Sequence, residues 1–220
     1  MLPDVVIPVA AERSNSSINW ALRSIANWYP GHHVILVGHR PRLDPHNLTI
    51  DHIPTEQTDD IFANTDLAMQ TALDSDLVND PFIWSADDIY WMRPAEPIRW
   101  ALGLLDEDQH RTIYGQRKHA TAHFLRSHGL PAYDYEAHVP MLIHPNPMHT
   151  VLNWCDTDPM LDKRSLYGNL TGLPDHIGSD VKNQSRAAPL PDASWCSTGG
   201  NPRAWPALMQ ELNRPGAIAS

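Results

Sequence analysis

Two apolar runs, Val5-Val6-Ile7 and His33-Val34-Ile35-Leu36-Val37, stand either side of a segment in which Ile18, Ala21, Leu22 and Ile25 recur at helical spacing. This pattern limits the fold more than anything else in the chain. A strand that is apolar at successive positions is covered on both faces, as in parallel sheets. Strand, helix and strand then form a right-handed crossover unit. Ser16 or Ser17 can cap the helix, and Tyr29-Pro30-Gly31 ends it. Residues 48–54 predict a third strand. Thr58-Asp59-Asp60 opens a second helix, with Ile61, Thr65, Ala68, Met69, Ala72, Leu73 and Leu77 on one face. Asn79-Asp80-Pro81 stops it, and Phe82-Ile83-Trp84 begins a fourth strand. The order predicts an α/β fold: one Rossmann-like domain over residues 1–220, with a central, mostly parallel sheet flanked by helices.

The fourth strand runs into Ser85-Ala86-Asp87-Asp88. In open α/β sheets, ligands bind beyond the carboxyl ends of the strands. Adjacent carboxylates there repel each other unless a proton or cation neutralises them. A hard divalent metal shared with a phosphate achieves this; a solvated Asp-Asp turn is the plainer reading. The loop after the first strand carries Ser, Asn and the single Arg13 ahead of a helix start. That arrangement can hold an anion, and it equally describes an ordinary capped helix.

The second half is less regular. Residues 96–105 predict a helix, 111–115 a strand, and 116–128 a helix ended by Gly129. Residues 133–143 predict a strand that interleaves Asp134, Glu136 and His138. Asn146-Pro147 predicts a helix start, residues 163–170 another helix, and residues 203–212 the last. Gly, Pro, Ser and Asn become frequent from Pro174 onward and predict loop. The net charge of −10 argues against a broad footprint on nucleic acid or an anionic membrane. A local groove drawing on Arg111, Arg117, Lys118, Arg126, Lys163 and Arg164 stays open. Cys155 and Cys196 lack the spacing of a zinc site, and nothing requires them to pair. There is no leader-like start and no apolar run of membrane length, which predicts a cytoplasmic protein.

Asp4-Val5-Val6-Ile7-Pro8-Val9 resembles the opening strand of GT-A-type glycosyltransferases, and Trp84-Ser85-Ala86-Asp87-Asp88-Ile89-Tyr90 resembles their acidic metal motif. The spacing between the two is similar to that family's nucleotide-sugar domain, and the likeness covers residues 4–92. Residues 135–140 resemble a His-x-Pro element of capsular-polysaccharide-type transferases. The resemblance implies a nucleotide-sugar half, 1–92, and an acceptor-side half, 93–220. It implies a Mn2+ or Mg2+ ion contacted by Asp88, with Asp87 acting through water or on the ribose, and His138 completing the shell or touching phosphate. Pro8, Val9, Ala10 and Arg13 would hold the nucleoside and a phosphate. His39 or Arg40 would reach the base, Asn64 would be a further donor contact, and Lys182 would close over the pyrophosphate with Asp180. Glu136, or else Asp134, would be the general base of an inverting reaction.

Such an enzyme moves a hexose or pentose from a nucleotide-diphosphate donor, a UDP-sugar in this reading, to a hydroxyl. Compact members occur in bacteriophages, where some act on hydroxymethylated bases, so a glycan and a modified base in phage DNA are both acceptors to consider. In that case the location would be the host cytoplasm. Two alternatives stand beside it: a nucleotidyl- or sugar-phosphate transferase on this fold, and a non-catalytic carbohydrate-binding protein, which the Trp-rich composition permits but which leaves the paired acids unexplained.

Overall fold

A computed structural model describes residues 2–11, 16–45, 47–105, 112–182, 194–198 and 205–212. The chain divides into two compact units. The first comprises Met1–Pro97, His138–Ile143 and Val181–Ser220, and the second Ile98–Ala137 and His144–Asp180.

The first unit is built on the strands that the apolar runs predict. β1 (Asp4–Val9) pairs in parallel with β2 (His33–Gly38), and β2 pairs in parallel with β3 (Thr49–Pro54). On its other side β1 pairs in parallel with β4 (Phe82–Trp84), which in turn takes β7 (Met141–Ile143) antiparallel. The sheet order is β3-β2-β1-β4-β7. Val5, Val6, Ile7, Val34, Ile35, Leu36, Phe82 and Ile83 are fully or almost fully buried, so the centre of the sheet is covered on both faces. α1 (Ser16–Trp28) buries Ile18, Ala21, Leu22 and Ile25, the four residues that its spacing singles out.

α2 (Ile61–Leu73) is less amphipathic than its sequence suggests. It buries Ala68, Met69 and Ala72, while Ile61 and Leu77 are exposed. Asp60 caps it by accepting from the amides of Phe62 and Ala63. At the amino end of the sheet, His33 bridges Asp4 at 3.4 Å and Asp51 at 3.0 Å, tying β1, β2 and β3 together.

β4 leads into β5 (Ile89–Trp91), which pairs antiparallel with β9 (Trp195–Ser197). β9 falls in the stretch that composition marks as loop. α6 (Trp205–Leu212) brings Leu208 and Leu212 onto a small core with Ala21, Tyr90 and Cys196. Gly38 closes β2 at φ 119, with Val9 O only 2.4 Å from where a Cβ would stand. Only glycine lets β2 run this close to the end of β1.

Several expectations for the second unit give way. Residues 96–105 are not helical: Pro97 lies within the stretch, and Trp100–Ala101 forms β6, paired in parallel with β8 (His176–Ile177). Residues 113–115 do not form a strand but open α3 (Ile113–Ser127), because Thr112 accepts from the Gly115 amide and caps the helix there. Only the last three residues of the strand expected over 133–143 are extended in the sheet, as β7. Before them Asp134 turns the chain by accepting from the Glu136 amide at 3.0 Å. α4 (Pro145–Thr157) begins two residues early, with Pro145 rather than Pro147 at its first position. α5 (Lys163–Thr171) is capped by Asp162. Its Gly168 lies against Tyr135, whose ring would stand 2.4 Å from a Cβ.

No helix among the described residues is long and apolar enough to cross a membrane.

Candidate functional site

β1 lies between β2 and β4; the chain crosses from β1 to β2 in one direction and from β3 back past β1 to β4 in the other. The strand order therefore reverses between β1 and β4, and in open α/β sheets ligands bind beyond the carboxyl ends at such a point. Asp87 and Asp88 follow the end of β4, and α1 starts shortly after the end of β1. The two sides meet through a side-chain contact: Ser17 Oγ, in the first turn of α1, donates to Asp87 Oδ2 at 3.2 Å.

Asp88 is held from another direction. Ser197, fully buried on β9, donates from Oγ to Asp88 Oδ2 at 3.1 Å. The Ser197 amide donates to Val181 O at 3.3 Å, and Lys182 forms an isolated parallel bridge with Ser197. Lys182 Nζ lies 3.4 Å from His138 Nε2. Donation from the ammonium requires that ring nitrogen to be the acceptor. One series of contacts thus joins Asp88, Ser197, Lys182 and His138, all within the first unit.

The field of the acids is felt nearby. Burial, with Asp88 adding to it, pushes the Cys196 thiol up to about 12. Burial also raises the Tyr90 phenol above its ordinary value, against a hydrogen bond with Thr198 and with Asp88 and Asp87 contributing. A thiol so raised is not a nucleophile near neutral pH. Cys155 and Cys196 are both free and buried.

The oxygen-rich character of this rim suits a hard divalent ion. Asp87 and Asp88 follow shortly after Ser85 in the chain, and Ser85 Oγ is buried with no hydrogen-bond partner among the described residues. Among those residues no group of three or more His, Cys, Asp and Glu side chains gathers to hold a metal. An ion here would take one or two carboxylates and fill its remaining positions with phosphate oxygens and water, as Mg2+ does. His138 already has Lys182 on its Nε2, so a metal on that nitrogen would have to displace the lysine.

The other expected donor contacts fall as follows. Pro8 and Val9 are the last two residues of β1, Ala10 is exposed just beyond them, and Arg13 lies outside the described residues. Arg40 is exposed past the end of β2, where the preceding His39 amide donates to Val9 O at 2.8 Å. Asn64 uses its amide to close the turn ahead of α2, donating to Thr58 O at 2.7 Å and accepting from the Thr58 amide and hydroxyl.

Glu136 and Asp134 belong to the second unit. Asp134 pairs with Lys118 and accepts from the Glu136 amide. Burial, followed by the charge of Asp162 and a hydrogen bond with it, raises the Glu136 carboxyl well above the usual range; Arg164 opposes the rise. Asp162 Oδ1 accepts from the Arg164 amide at 3.2 Å. Arg117 donates to Pro159 O at 2.7 Å and to Leu161 O at 2.6 Å. Of the basic residues proposed for a nucleic-acid groove, Arg117, Lys118 and Arg164, which donates from Nε to Tyr135 O at 3.2 Å, have internal partners, and Arg111 lies outside the described residues.

Ser17 was visible in the sequence only as a helix cap. Ser197 gave no signal, because a three-residue strand among glycines, prolines and serines has no period to detect.

No family model matches the chain, and no curated protein does. Among solved structures, it is similar to the glycosyltransferase GlyE of Streptococcus pneumoniae TIGR4. The TM-score is 0.41 and the identity 12%, over 80% of this chain. The chain spans 44% of the length of that protein. A likeness this loose carries no functional argument.

Proposed function

We propose that this protein is a metal-dependent glycosyltransferase of GT-A type, moving a sugar from a nucleotide-diphosphate donor to an acceptor hydroxyl. The observation that carries the reading is the position of Asp87 and Asp88 at the switch point between β1 and β4, each steadied by a hydroxyl from another element. Asp88, with Asp87, is the set that would hold Mn2+ or Mg2+. When bound, the ion supplies positive charge to the leaving diphosphate. Val9, Ala10 and Arg40 border the nucleoside side of the same rim. Lys182 offers a cation for phosphate, and His138 orients it. A UDP-sugar is the donor in this reading; the acceptor is a glycan or a hydroxymethylated DNA base.

Proton removal from the acceptor is not assigned to Glu136 or Asp134. Asp134 is paired with Lys118, and the Glu136 carboxyl is engaged with Asp162. The deciding experiment is a thermal-shift screen of nucleotide sugars with and without Mn2+. A donor that stabilises the protein only with the metal is expected, by about 2.7 kcal/mol at a concentration 100 times its Kd. Stabilisation by a free glycan alone, unaffected by metal and nucleotide, would instead make the protein a carbohydrate binder.

A further inference from the structure

We infer that Ser197 is a positioning residue for Asp88, setting the carboxylate in the orientation that binds the metal of the donor complex. The inference rests on the reading above and extends it to a residue that contacts neither metal nor donor.

Three observations carry it. Ser197 is fully buried, yet its hydroxyl is spent on Asp88 Oδ2 at 3.1 Å. A hydrogen bond to one oxygen fixes the rotation of a carboxylate and leaves the other oxygen to face a ligand. The backbone of Ser197 is itself pinned on two sides. It pairs with Ile89, the residue after Asp88, in the β5–β9 ladder, and its amide donates to Val181 O at 3.3 Å. The serine is therefore registered to Asp88 by main-chain bonds as well as by its side chain. Asp87 takes its own hydroxyl from Ser17 on α1, so the adjacent acids are oriented independently. Removing an outer partner of a metal ligand typically costs about 10- to 100-fold in metal affinity or activity.

The test follows Mn2+ by electron paramagnetic resonance, titrated into the full chain with UDP. UDP affinity in chelator and the melting temperature are measured on the same samples. Ser197→Ala is expected to weaken Mn2+ binding about 10-fold while leaving UDP affinity in chelator and the melting temperature near wild type. Ser197→Thr keeps the hydroxyl and is expected to restore binding. If Ser197→Ala does not fold, the near-isosteric Ser197→Cys, a weak donor, is expected to show the same selective loss. Unchanged Mn2+ binding in the Ala or Cys variant, with loss in Asp88→Asn, would overturn the positioning role alone. So would a parallel fall in UDP affinity and melting temperature, which marks a purely structural serine. A wild type that shows no Mn2+-dependent UDP binding, or an Asp88→Asn variant that binds normally, would remove the glycosyltransferase reading and this inference with it.

Discussion

Asp87 and Asp88 in the first unit are steadied by neutral hydroxyls, whereas Asp134 and Asp162 in the second are occupied by a lysine and by a helix start. Both regions concentrate acids, but they deal with the repulsion differently. In the second unit the protein supplies its own compensation. Lys118 neutralises Asp134, Glu136 shares a hydrogen bond with Asp162, and the Glu136 carboxyl is raised by burial and by Asp162. In the first unit, Ser17 and Ser197 orient Asp87 and Asp88 with hydroxyls, which carry no charge of their own.

The largest expected effect breaks this comparison at its first term. Asp88→Ala is predicted to lower metal-stimulated donor turnover by roughly 10²–10³-fold, the scale of losing one electrostatic contact to a leaving group. Its unfolding free energy should fall by about 1–3 kcal/mol, since the buried Ser197 hydroxyl loses its acceptor. Donor hydrolysis assays and chemical denaturation measure the two. A variant that keeps its activity would make Asp88 a mere turn residue.

Lys118→Met reverses the pattern. Asp134 is left buried without its cation, and the loss should appear as about 1–3 kcal/mol of stability. Turnover per folded molecule should change little. If activity falls with no change in denaturation midpoint, Lys118 belongs to the chemistry.

The smallest effect concerns pH. The folded state holds the Glu136 proton to higher pH than the unfolded chain does, so the associated stability is complete at pH values below the ordinary carboxyl range. It is lost as pH rises through the raised value. Glu136→Gln keeps a hydrogen-bonding amide and cannot ionise. Its melting temperature should therefore fall less than that of wild type as pH is raised from acid toward neutral, with turnover within about threefold of wild type. A turnover loss on the order of 10², the scale of general-base catalysis, would return the base role to Glu136.

Much of the first unit was legible because its strands are buried on both faces. Val5-Val6-Ile7 and Val34-Ile35-Leu36 leave no polar position for another register, and α1 shows its buried stripe directly. The acid pair was legible for the same reason: a fully apolar strand followed closely by two aspartates marks the strand's carboxyl end. α2 misled because Ile61 and Leu77 fit the helical period yet lie beyond the part that meets the sheet. In the second unit, local side-chain bonds decided what periodicity could not. Thr112 starts α3 where an apolar triplet suggested a strand, and Asp134 bends the chain where alternation suggested one. Ser197 could not be read from its neighbours, because its importance comes from an aspartate 109 positions earlier.

The return of the chain to the first unit has a consequence for how the protein is made. β5 ends at Trp91, and its partner β9 begins at Trp195. During synthesis, the acids at the end of β4 emerge long before the serine that orients Asp88, with the whole second unit between them in order of appearance. A nascent chain stopped at Pro97 carries β1 to β4 but neither the edge strand β7 nor β9, so β4 and β5 stay open to pairing with other chains. Asp88 thus gains the serine that orients it only after the second unit has emerged.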